Sequence, residues 1–116
     1  MRHESLQPKL KVWVVFADQV KLGDGRARLL ELIDELGSIK KAVARFGMSY
    51  RSAWGYLKEL ERAAGFKLLA RTPGGGPLGG TRLTKAGRQF LDRYWRFSRG
   101  AEGAVKREFA RSFKKK

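Results

Sequence analysis

No cysteine occurs anywhere in the 116 residues, which excludes disulfides and thiolate metal sites and leaves the redox compartment open. Histidine is almost as scarce: His3 stands alone near the N-terminus, with nothing to complete a metal site around it. No apolar run approaches the roughly 18 residues of a membrane span, and the opening MRHESLQPKL lacks the hydrophobic segment of a signal peptide. A soluble, cytoplasmic protein with no cofactor and no membrane contact is the expectation.

Acidic residues are the other shortage. Eleven Asp and Glu face 26 Lys and Arg, a formal net charge of +15. The imbalance is local: residues 1–37 hold six bases and six acids, residues 38–83 nine against two, and residues 84–116 eleven against three. A neutral scaffold followed by a basic segment points to a polyanion partner, most often nucleic acid. The plainer alternative is a merely soluble basic surface. Hydrophobic residues make up 42%, with seven Phe, three Trp and three Tyr, so there is material for a core and a wholly disordered tail does not fit.

Alternation along KLKVWVVF (residues 9–16) sets Leu10, Val12, Val14 and Phe16 on one face of a strand, and VKL (20–22) can return as a short partner. Asp24 is placed to cap a helix through about Leu36, with Leu29, Leu30, Ile33 and Leu36 inward. Ser38 and Ser49 cap two further helices, and Gly37, Gly47 and Gly65 close the three in turn. Helix, short helix, glycine turn, helix is the helix-turn-helix pattern. FKLLART (66–72) and TRLT (81–84) read as strands on either side of PGGGPLGG. Thr84 can cap a last helix carrying Phe90, Leu91, Tyr94, Trp95, Phe97, Ala101, Val105, Phe109 and Phe113 near helical spacing. Gly100 and Gly103 weaken that helix and mark where it can bend or break, and the lysines at 114–116 read as a frayed tail.

On the third helix, at 100° per residue, Ala53, Leu57, Leu60 and Ala64 lie within about 40° of one another and form the buried stripe. Arg51, Gly55, Lys58 and Arg62 fall within about 30° of the opposite pole. A glycine in a helix interior costs about 1 kcal/mol relative to alanine, and on an outward face it has no core-packing reason. A face both bare and cationic suits a major groove roughly 12 Å wide, where Arg51 and Lys58 reach base edges or phosphates. An ordinary solvated face, with a glycine arrived by drift, is the other reading. Ser49, Tyr50 and Ser52 at the helix N-terminus suit a phosphate. Trp54, on the flank, is expected to wedge against a neighbouring element.

GSIKKAVARFGMSYRSAWGYLKELE (37–61), followed by GFKLLARTPGGGPLGGTRLTKAG, resembles the N-terminal DNA-binding domain of the molybdate-responsive ModE regulators. More distantly it resembles the winged helix-turn-helix of LysR-type regulators. The likeness covers roughly residues 24–90, and KLKVWVVF fits the hairpin that precedes the first helix in this family. It implies a recognition helix at about 49–64, a wing at 66–84 and a homodimer built largely by the last helix. The full-length regulators carry C-terminal oxyanion-binding domains for which this chain leaves no room, so molybdate sensing is not expected. Gly55 also departs from the family, in which a side chain is expected there.

The fold expected is mainly α with small β-hairpins: a winged helix-turn-helix at 24–84, preceded by a hairpin within 1–23 and followed by a dimerisation helix and basic tail at 85–116. In the wing, Arg71, Thr72 and Arg82 flank a slim tip containing Gly74, Gly75 and Gly76, suited to the backbone or the minor groove. Phe90, Tyr94, Trp95, Phe97 and Phe109 are too much aromatic surface for one small winged core, which favours a twofold partner over packing back on KLKVWVVF. GGGPLGGT nearly spells a phosphate-binding loop, but Gly80 stands where lysine is needed. Glu31, Asp34 and Glu35 resemble the wet face of the first helix, and no nucleophile–base pair is visible, so no enzyme is expected. A dimeric, sequence-specific regulator binding double-stranded DNA is the leading expectation. A non-specific architectural protein, and more remotely an oxyanion sensor, are its rivals.

Overall fold

Serine and glycine punctuate the chain much as the sequence requires. In the computed structural model, which describes residues 5–17, 19–72 and 80–113, helix α1 spans Asp24–Leu36, α2 Ile39–Phe46, α3 Tyr50–Ala64 and α4 Lys85–Phe113. Ser38 and Ser49 each accept a hydrogen bond from the backbone N–H three residues on, at 3.1 and 3.0 Å. Gly37, Gly47 and Gly65 close the three helices in the left-handed region, with φ of 71°, 68° and 82°. Thr84 caps α4 by accepting from Gly87 N at 2.9 Å, while its hydroxyl donates to the Lys67 carbonyl at 2.6 Å. Asp24 is not a cap. Gly23 holds that position without a side-chain bond, and the Asp24 carboxylate instead accepts from Tyr94 (2.5 Å) and Ser98 (3.2 Å) on α4.

Two antiparallel hairpins complete the fold. Strand β1 (Val14–Phe16) pairs with β2 (Val20–Leu22), and β3 (Leu69–Thr72) pairs with β4 (Gly80–Leu83), with Leu69 opposite Leu83 and Thr72 opposite Gly80. The first strand is shorter than the alternation over 9–16 suggests, because its partner offers three residues. Residues before it run beside α4 instead: Pro8, Lys9 and Leu10 share a cleft with Glu102, Val105 and Lys106. The loop residues Gly74, Gly75 and Gly76, and the tail lysines at 114–116, lie outside the described residues.

The core gathers Leu22, Leu29, Leu30, Ile33, Ala42, Ala53, Leu57, Leu60, Leu68, Leu91 and Tyr94 from all four helices and the hairpin strands' margins. Gly87 lets α4 cross the base of the second hairpin closely; a Cβ there would collide with the Leu68 carbonyl. The whole of α4, 29 residues or about 43 Å, runs without a break through Gly100 and Gly103 and so extends past this body. The chain is therefore elongated, 63 × 28 × 23 Å, with a radius of gyration of 17.8 Å where a compact chain of this length has about 13 Å. No described helix is long and apolar enough to cross a membrane.

Acids that look like a wet face do the joining. Asp34 accepts from Leu83 N (2.8 Å) and from Arg88 (2.6 Å) through its two carboxylate oxygens, and its carbonyl accepts from Arg82 at 2.8 Å. Glu31 accepts from the Trp95 indole N–H at 2.8 Å, and Glu35 pairs with Arg28. Removing the Asp34 carboxylate strands a part-buried N–H, so Asp34→Ala is expected to cost about 1–3 kcal/mol in urea unfolding. Asp34→Asn keeps an acceptor for Leu83 and should cost less.

Candidate nucleic-acid interface

Helix α3 buries Ala53, Leu57 and Leu60 and leaves Arg51, Ser52, Gly55, Lys58 and Arg62 exposed. A Cβ built at Gly55 meets nothing within 4 Å, so no neighbour in the fold demands glycine there. Lys58 does not stand straight off the helix. Its Nζ lies 4.6 Å from the ring centre of Trp54, leaning toward the second hairpin. Arg62 shares its charge with Glu59 at 3.3 Å, an exposed pair that a phosphate can compete for.

Trp54 is not wedged. It is 42% exposed and separates two concavities between α3 and β3. One, of about 660 Å³, has Ile39, Leu57, Phe66 and Leu69 among its lining, with Lys58 and Arg62 beside them. The other, of about 460 Å³, brings Tyr50 and Arg71 together with Ser38, Lys40 and Thr81. Ser38 and Lys40, where α2 begins, were missed by sequence reasoning. The serine was recognised only as a cap, and helical geometry alone does not show that α2 and α3 start beside the same hairpin.

The second hairpin is held from below by two carboxylates. Glu61 on α3 accepts from Leu68 N at 2.8 Å and Leu69 N at 3.0 Å, with Lys67 at 3.8 Å. Asp34 holds the returning strand. Arg82, expected to face phosphate, turns its guanidinium inward onto the Asp34 carbonyl, so it braces the hairpin. Arg71 is exposed on β3, opposite Thr81. Thr72 is placed by its backbone pairing with Gly80, and the expected tip residues Gly74, Gly75 and Gly76 fall outside the described residues.

The aromatic residues of α4 divide in two. Phe90 packs on Phe16 and Phe66 with ring centres 5.3 and 6.3 Å apart. Tyr94 is buried, and burial together with the hydrogen bond to Asp24 pushes its phenol well above the ordinary range. Trp95 stacks edge-on to Tyr94 and binds Glu31. These three, expected at a dimer interface, make contacts within their own chain that bury Tyr94 fully and Phe90 and Trp95 in part. Phe97 is 49% exposed and Phe113 47%, with Phe109 half-buried and its ring 4.9 Å from that of Phe113.

Over residues 25–88 the chain matches the model of the bacterial regulatory helix-turn-helix proteins of the lysR family. It is 40% identical over 73 residues to the molybdenum transport protein ModE of Azotobacter vinelandii, covering 63% of this chain and 27% of that protein. It is 38% identical over 79 residues to the transcriptional regulator ModE of Haemophilus influenzae, covering 68% and 31%. Against the molybdenum-pterin-binding protein MopB of Rhodobacter capsulatus the identity is 32% over 74 residues, covering 64% and 27%. The matched region thus spans less than a third of each of these relatives. It takes in the three short helices, the second hairpin and the cap of α4, and a helix-turn-helix in that setting is a winged one. By this match over more than half its length, the chain belongs to the lysR family of bacterial regulatory helix-turn-helix proteins.

Proposed function

We propose that the chain is a transcription regulator that binds double-stranded DNA sequence-specifically as a homodimer, with α3 in the major groove and the β3–β4 wing along the adjoining backbone. The observation that carries this is Gly55: a bare position, unconstrained by any neighbour, at the centre of an exposed cationic helix face. Close backbone approach gives such a glycine a purpose that stability does not. Arg51 and Lys58 read base edges; Ser49, Tyr50, Ser52, Arg62, Arg71 and Thr72, joined by Ser38 and Lys40, set the protein on phosphates. Arg82 acts by bracing the wing. Residues 24–84 are the reading unit, and the name of the Haemophilus influenzae relative, a transcriptional regulator, supports it.

The distal part of α4 supplies the twofold contact through Phe109 and Phe113, about 40° apart on one face of the helix. The exposure of Phe113 on a helix that outruns its own body is what supports it. Two recognition helices then meet the duplex about one turn apart. The +15 charge also suits a non-specific architectural role. Selecting bound duplexes from a random pool at about 150 mM salt separates the two. An inverted repeat with half-sites about ten base pairs apart is expected, and an unsorted pool overturns sequence-specific reading.

Two substitutions sharpen the test. Gly55→Ala should stabilise the fold by about 1 kcal/mol in thermal unfolding, whereas Gly55→Leu should keep the fold and weaken binding to the selected duplex at least roughly tenfold. Phe109→Glu with Phe113→Glu should convert a dimer in sedimentation equilibrium to a monomer and reduce duplex affinity, leaving the helical circular dichroism of the body in place.

A further inference from the structure

Two cations outside α2, α3 and the wing stand on the other flank of α3. Arg26, in the first turn of α1, sets its guanidinium 4.9 Å from the ring centre of Tyr56 and reaches the Met48 Sδ at 3.8 Å, in the turn that leads into α3. Lys21, on β2, holds its Nζ 5.1 Å from the ring centre of Trp13. Tyr56 links the pair, because its hydroxyl donates to the Lys21 carbonyl at 2.7 Å. Burial raises that phenol to about 12, against a smaller opposing effect of Arg26, so the donor keeps its proton across the neutral range. Lys11, Lys21, Arg26, Trp13 and Tyr56 share an open concavity of about 600 Å³. Among the described residues, neither Lys21 nor Arg26 forms an ion pair.

A helix in a major groove has a phosphate backbone on each side. Trp54 and Tyr56 stand about 100° to either side of Gly55. The Trp54 side belongs to the wing, and the Tyr56 side leads to Arg26 and Lys21. We propose that Arg26 and Lys21 grip the phosphate backbone across the groove from the wing, so that the recognition helix is clamped from both sides. Aromatic backing holds both cations in place beforehand, which reduces the side-chain freedom lost on contact. Glu59 lies on the same flank and pairs with Arg62 in the free protein, so its repulsion is a cost that the grip has to outweigh.

The proposal rests on the DNA-binding reading, and one titration separates their failures. Fluorescence anisotropy with a mixed-sequence duplex of about 24 base pairs is followed from roughly 50 to 200 mM salt. The subjects are the wild-type chain, the double variant Lys21→Gln/Arg26→Gln, and a control, Lys106→Gln/Arg111→Gln, which removes the same charge from the far part of α4. Each phosphate contact contributes about 0.9 to the slope of log K against log salt. The double variant removes two contacts from each protomer of the dimer, so its slope should be shallower by about 3.6, the control close to wild type. A double variant no shallower than the control overturns the clamp and leaves the DNA reading standing. A wild-type chain that binds no duplex at the lowest salt overturns both. If circular dichroism shows the double variant melting early, Lys21→Gln alone decides the matter: a slope shallower by about 1.8 for the dimer supports the clamp, and an unchanged slope overturns it.

Discussion

One carboxylate fixes where the wing stands relative to the recognition helix. Asp34, its side chain only 17% exposed, takes the backbone N–H of Leu83 and the guanidinium of Arg88, while its carbonyl takes Arg82. One residue of α1 thereby sets the height of β4 and the start of α4. The mirror arrangement is Glu61, which holds β3 to the recognition helix through two backbone N–H groups. A two-stranded hairpin alone is marginal in water. Here each strand is tied to a different helix by charge-assisted hydrogen bonds, the stronger kind.

This use of acids also shapes the field the protein presents. Asp24, Glu31, Asp34 and Glu61 sit where the fold needs acceptors, bound to Tyr94, Trp95, Leu83 and Leu68 respectively, or to groups beside them. These four negative charges are drawn toward the scaffold, while Arg51, Lys58 and Arg71 stay outside, with the exposed Glu59 among them. A phosphate approaching α3 from the wing side meets cations with little opposition. The distribution of charge along the chain already hints at this; the inward turn of the carboxylates completes it.

What was legible in the sequence was local. Ser38, Ser49 and Thr84 cap helices because a hydroxyl reaches an N–H three residues on, and Gly37, Gly47 and Gly65 end helices because they tolerate positive φ. The buried stripe and bare pole of α3 follow from a 3.6-residue period. What was hidden was long-range. Nothing near Asp24 announces Tyr94, seventy positions away, and nothing near Arg82 announces the carbonyl of Asp34. Hydrophobic periodicity ranks Glu31 and Asp34 with any solvated acid, since it is blind to partners. The same blindness assigned Phe90, Tyr94 and Trp95 to a partner subunit when Phe16, Phe66, Asp24 and Glu31 of their own chain engage them. Gly100 and Gly103 were overweighted: each lowers helix propensity by about 1 kcal/mol, which the rest of a 29-residue helix outweighs.

The anchoring of both hairpin strands at their base bears on how such a protein diversifies. Asp34 and Glu61 fasten the strands through Leu68, Leu69 and Leu83, at the end of the hairpin opposite the Thr72–Gly80 pair. Changes of length between Thr72 and Gly80 leave those bonds in place, since lengthening a connection adds little closure entropy. A hairpin fastened at its base in this way can exchange its far end while the scaffold beneath it stays under selection. A lineage built on this frame can change its reach without relearning how to fold.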